Sequence, residues 1–88
     1  MQTIEELIPQ LKTQIIARLN MVGMTPEKLD ADIPLFGEGV GLDSVDALEL
    51  IVMLEKHYGA RIEDSKVARK ILVNVRTIAQ YVYANRTK

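Results

Sequence analysis

The chain has no cysteine and no tryptophan, and only one phenylalanine, one histidine and three prolines in 88 residues. Without cysteine there can be no disulfide framework, thiolate metal site or thiol nucleophile. With so few aromatic rings, the core of so small a protein must be built mainly from aliphatic side chains. His57 has no second histidine nearby and falls at an expected helix end, where it reads as a solvated side chain beside the helix dipole. No apolar run is long enough to span a bilayer. The first residues lack the basic and apolar regions of a secretory signal. The expectation is one cytoplasmic domain over residues 1–88, monomeric and away from the membrane.

The net charge of −1 hides an uneven distribution. Residues 27–55 hold eight acids against one base, Lys28; residues 56–88 hold eight bases against two acids, Glu63 and Asp64. The acidic segment should attract basic partner surfaces. The basic one invites a nucleic-acid reading, but its charges are dispersed and no aromatic platform accompanies them. Solvated helix faces explain it better, and no nucleic acid is expected as a partner.

Helix signals recur along the chain. Thr3 with Glu6 reads as a capping box for a first helix, with Ile4, Ile8, Leu11, Ile15 and Leu19 at helical spacing. Pro9 lies too far in for a first-turn proline and predicts a kink or restart. Asn20 and Gly23 end the helix. Thr25-Pro26 opens at most one turn. A long loop then folds back through Leu29, Ile33, Leu35 and Phe36, and a connection of that length tends to be functional. After a second helix, Gly59 is a stop, and Ile62 points back inward. Asp64 or Ser65 caps a short helix through Lys70, and Asn74 caps a last one carrying Val75, Ile78, Ala79 and Val82. Residues 85–88 should fray. The fold class is all-α: a small antiparallel four-helix bundle, three longer helices and one short, with a long loop between the first two main helices.

The most informative stretch is residues 41–58. Asp43 suits an N-cap, and Asp46 can answer it as a capping box. Ser44 then stands at the first helical position, its hydroxyl beside unpaired N–H groups where a phosphate ester fits. Gly37, Gly39 and Gly41 precede it, giving backbone freedom for an enzyme to reach the serine. Ala47, Leu50, Ile51, Leu54 and Tyr58 share a core-facing side. Val45, Leu48 and Val52 form a second apolar stripe among Asp46, Glu49 and Glu55, which favours a docking surface. No catalytic set surrounds Ser44, and capping explains the nearby carboxylates without a metal. Ser44 therefore reads as a substrate for another enzyme.

Asp43-Ser44-Val45, with Asp46, Leu48-Glu49-Leu50 and Leu54-Glu55, resembles the acyl carrier protein signature. Leu35-Phe36 with Gly41-Leu42 resembles that family's approach loop, and Val75 with Ile78-Ala79 and Tyr81-Val82 its last helix. The resemblance implies a carrier, not an enzyme. A phosphopantetheinyl transferase would attach 4′-phosphopantetheine from coenzyme A to Ser44, with Asp43 helping to hold the transferase's magnesium. The arm's thiol would carry acyl chains as thioesters between synthases and transferases with basic docking surfaces. Val45, Asp46, Leu48, Glu49, Val52 and Glu55 would form the docking face, and Ala47, Ile51, Leu54, Ile62 and Val67 the acyl pocket.

The departures from the family have a direction. Val45 replaces the commonest leucine, Lys56 and His57 stand at often acidic positions, and Lys66, Arg69 and Lys70 make the third-helix region basic. These features suggest a specialised carrier for fatty-acid, lipid or polyketide synthesis rather than a housekeeping one. An aminoacyl or peptidyl carrier would usually set two glycines and a small or histidine residue before its serine, where Leu42-Asp43 stands here. An unmodified helical interaction module is the remaining alternative.

Overall fold

The computed structural model describes residues 2–88. Four helices follow one another: α1 (Ile4–Arg18), α2 (Ser44–Tyr58), α3 (Ser65–Ile71) and α4 (Val75–Asn85). Among the described residues there is no strand, only an isolated bridge between Phe36 and Leu42. The result is the expected small helical bundle, with three longer helices, one short one and a long connection between α1 and α2.

Side-chain capping starts each helix. Thr3 and Glu6 cap α1 reciprocally, at 3.2 and 2.9 Å. The Thr3 backbone N–H, and then its hydroxyl, hold the Glu6 carboxyl below its ordinary pKa. Asp43 and Asp46 cap α2 in the same way, both bonds being 3.0 Å. Asp64 caps α3, while Asn74 and Thr77 form the box of α4. The Thr77 hydroxyl also donates to the Ile71 carbonyl at 2.7 Å, tying the end of α3 to the start of α4. Each bond satisfies a first-turn amide or last-turn carbonyl that the helix cannot pair internally.

Of the kink or restart that Pro9 suggests, the restart does not occur: α1 runs through the proline as one helix. The proline removes only the amide that would have met the Glu5 carbonyl, and both residues are exposed to water. The helices close on one aliphatic cluster that includes Leu7, Leu11, Ile15, Leu50, Leu54, Ile78 and Val82. Each such side chain contributes about 1.5–3 kcal/mol on burial. Met53 joins it, although the apolar stripe read from α2 omitted it.

The long loop belongs to the core through Leu29 and Leu35, both buried. The Leu35 amide donates to the Val73 carbonyl at 2.8 Å, and the Arg76 amide to the Ala31 carbonyl at 3.0 Å. The Arg76 guanidinium reaches Asp32 at 2.7 Å and Glu5 at 3.2 Å, joining α4, the loop and α1. Ile71-Leu72-Val73, which could be mistaken for a strand, instead ends α3 and offers this carbonyl to the loop.

The carboxyl-terminal residues do not hang free. Gly59 takes φ +65°, which L side chains rarely adopt, and ends α2 in a left-handed turn. The amides of Thr87 and Lys88 donate to the Tyr58 carbonyl just before it, at 2.8 and 3.1 Å. The Arg86 guanidinium lies 5.1 Å above the Tyr58 ring and donates to Gln2. The Tyr58 hydroxyl donates to Gln14 and accepts from Gln10, so a buried ring keeps its polar tip satisfied. Residues 85–88, expected to fray, are held because they supply the donors an orphaned helix-end carbonyl needs.

Two tests follow from these contacts. Replacing Asp43 with alanine removes the α2 cap and should cost about 0.5–2 kcal/mol. In a circular-dichroism melt that is a fall of several degrees, at about 4–8 °C per kcal/mol. Asp43→Asn, which keeps an acceptor, should lose less. The second test concerns Asp32, whose carboxyl Arg76 holds below the ordinary aspartate value, first by hydrogen bonding and then by charge. A folded pKa below the unfolded one gives stability that is complete above about pH 4 and lost as acid protonates the folded carboxylate. Wild type should therefore melt above Asp32→Asn at neutral pH, with the gap closing as pH falls below about 4.

Candidate functional site

The approach to α2 is a tight loop built around Pro34. Its carbonyl accepts from the Val40 amide, and the Leu35 carbonyl accepts from the Leu42 amide, both at 2.9 Å. Gly39 passes so close beneath Pro34 that a Cβ there would strike the Pro34 carbonyl. At Gly39 the requirement is thus close backbone approach, a different need from the freedom of access inferred from the sequence. The loop returns Leu42 beside Phe36 and delivers Asp43 in extended conformation to its capping position.

Ser44 follows as the first residue of α2 and is exposed. The Asp46 amide is taken by Asp43, and the Ala47 amide by the Asp43 carbonyl at 3.0 Å. The amides of Ser44 and Val45 have no acceptor within the helix, as in any first turn. The hydroxyl therefore projects at the positive end of a fifteen-residue helix. That is a suitable setting for an anionic ester.

Beneath Ser44 opens a cleft of about 690 Å³ between α2, α3 and the approach loop. Its apolar walls are Ala47, Leu48 and Ile51 from α2, Ala68 and Leu72 from the α3 side, and Pro34, Phe36 and Leu42 from the loop. Asp43, Ser44, Ser65 and Arg69 supply its polar groups. An exposed hydroxyl beside an aliphatic cleft of this size fits a tethered arm with an alkyl cargo.

The structure distributes the sequence-selected pocket residues unevenly. Ala47 and Ile51 line the cleft. Leu54 lies sealed in the core, Ile62 is half-buried against it, and Val67 faces outward at 42% exposure; none of the three lines the cleft. Phe36, Leu42, Ala68 and Leu72 do line it, although their place in the sequence implies no pocket role. Their apolar character was visible, but their convergence depends on the loop docking at Val73.

In the second apolar stripe of α2, Val45, Leu48 and Val52 are 65, 63 and 50% exposed, and Leu48 belongs to the edge of the cleft as well. The acids among them have partners within the chain. Arg18 of α1 meets Glu49 at 2.8 Å, Arg61 meets Glu55 at 3.4 Å, and Asp46 caps its own helix. Nothing in the linear sequence marked Arg18 or Arg61 as their counter-ions. Among the described residues no helix is long and apolar enough to cross a membrane.

Comparison with known proteins bears directly on this geometry. Residues 12–82 match the family described as "Phosphopantetheine attachment site". The chain is 30% identical over 82 residues to the acyl carrier protein of Helicobacter pylori (strain ATCC 700392 / 26695), covering 91% of this chain and 95% of that one. It is 25% identical over 77 residues to the acyl carrier protein of Campylobacter hominis, covering 88% and 90%. A family match across most of the chain, and a relative aligned over nearly its whole length, agree with an exposed serine above an apolar cleft: the chain belongs to the acyl carrier protein family, whose members are phosphopantetheine-bearing carriers and not enzymes.

Proposed function

We propose that Ser44 is the residue that bears 4′-phosphopantetheine, and that this chain is a specialised acyl carrier working in the cytoplasm. The observation that carries the assignment is the exposed Ser44 at the start of α2, opening onto the apolar cleft. A phosphopantetheinyl transferase would move the phosphopantetheine half of coenzyme A to the Ser44 oxygen. The hydroxyl proton is lost and the adenosine bisphosphate half leaves. Asp43 stands next to the reacting oxygen, where an exposed carboxylate can share the transferase's magnesium while its other oxygen caps the helix. The arm supplies a thiol, which this chain lacks, and acyl groups ride on it as thioesters. Ala47, Ile51, Phe36, Leu42 and Leu72 would shelter the alkyl part of the cargo from water.

Docking falls to Val45, Leu48 and Val52, with Asp46, Glu49 and Glu55 around them. Because Arg18 and Arg61 already occupy Glu49 and Glu55, the surface offers a basic partner less unpaired charge than its acid count suggests. This supports a dedicated set of synthases and transferases that read the apolar stripe more than the charge.

The decisive experiment is intact mass after incubation with coenzyme A, magnesium and a broad-specificity transferase. One phosphopantetheine should be gained by wild type and none by Ser44→Ala. Failure to load with several transferases would favour an unmodified interaction module. For the docking face, Val52→Glu, at a half-exposed position outside the cleft lining, should lower kcat/KM for loading by about tenfold while leaving the melting temperature nearly unchanged. Unaltered kinetics in that variant would remove the apolar stripe from recognition.

A further inference from the structure

The cleft that receives the Ser44 hydroxyl contains one cation among its lining residues, Arg69 of α3. It stands four residues after Ser65, so the two share a helical face, and both line the cleft opposite α2. Arg69 is exposed as well as part of the lining, so it stands at the open edge of the cleft. Arg18, Arg61 and Arg76 each pair with a carboxylate, whereas no ion pair to Arg69 is formed among the described residues. The acid in the lining, Asp43, spends an oxygen on the α2 cap. Lys66 and Lys70 flank Arg69 on the exposed surface without lining the cleft, and they raise the positive potential around it.

We propose that Arg69 is a binding residue for an anionic group on the Ser44-borne arm, so that the carrier holds its own loaded arm along the α3 wall. This inference rests on Ser44 bearing phosphopantetheine. A guanidinium on an otherwise largely apolar cleft has the geometry to take a phosphate or a carboxylate through paired N–H groups. Ser65, one turn back, adds a hydroxyl that can bond an amide of the arm. Two anions meet this description: the phosphodiester at Ser44 itself, and a carboxylate at the far end of a dicarboxylic cargo. Either would draw the arm across the apolar walls and keep its thioester from solvent until a partner competes for the anion. The basic α3 surface then has a role in holding cargo, distinct from the docking face of α2.

The test compares melting temperatures of the full chain in four states, each confirmed by intact mass. These are unmodified, loaded with the free-thiol arm, loaded with a butyryl arm and loaded with a succinyl arm. Wild type, Arg69→Gln and Lys70→Gln are measured in each state. Loading should raise the melting temperature of wild type by about 1–8 °C more than that of Arg69→Gln, the range expected for one exposed charge pair in a domain of this size. If the difference is the same for all three arms, the phosphodiester is the anion. If it is confined to succinyl, the anion is the cargo carboxylate. The Arg69 side-chain Nε–Hε resonance should shift in the same states. Equal behaviour of wild type and Arg69→Gln in every loaded state overturns the proposal, as does an equal loss in Lys70→Gln, which would show only a diffuse field. A chain that never loads sinks the assignment of Ser44 itself; one that loads without dependence on Arg69 sinks only this inference.

Discussion

The reciprocal bonds between Asp43 and Asp46 are the constraint on which the rest of the site depends. They end the loop and start α2 at the same residue. Ser44 can face outward only because the residue before it is extended and the residue after it is already helical. A helix beginning one residue later would leave the serine in the loop. One beginning earlier would leave it on the same face but no longer at the helix tip, with fewer unpaired amides beside it. Two short carboxylates thus set where a hydroxyl points, and they do so at a polarised helix end suited to an anionic ester.

The loop is the second half of that device. A long connection would ordinarily be mobile, yet this one is buried at Leu29 and Leu35 and bonded to the α3–α4 junction at Val73. Arg76 fastens it again through Asp32. Its docking turns Phe36 and Leu42 into a wall of the cleft. The contacts that stabilise the fold are thereby the ones that build the cavity, while the serine itself contributes little to the core.

Charge has been divided between internal and external uses. The acids of α2 look available in the sequence, but Glu49 and Glu55 are met by Arg18 and Arg61. Exposed pairs of this kind contribute little to stability, about 0–1 kcal/mol. Their larger consequence is for recognition, because a partner must compete with an existing counter-ion. The apolar residues between them have no such competitor. A surface of this kind selects for shape and hydrophobic contact more than for long-range attraction.

How much of this was legible beforehand differs by element. The helices, their caps at Thr3, Asp43 and Asn74, and the placement of Ser44 could be read from the chain because each depends on residues within one or two turns. Restart at Pro9 and fraying at the carboxyl terminus were local expectations that longer-range facts displaced: a helix stabilised by packing along its length, and a Tyr58 carbonyl needing donors. Likewise, Leu54, Ile62 and Val67 share an apolar character that periodicity registers, but only their depth relative to other elements separates core, boundary and surface. The amino-acid sequence alone determined the helical bundle, the cap and the serine, since short-range hydrogen bonding and the 3.6-residue period are written in neighbouring residues. Tertiary structure decided which aliphatic side chains meet in a cleft, which acids are already paired and which arginine lines the rim, because those outcomes depend on contacts between residues far apart in the chain.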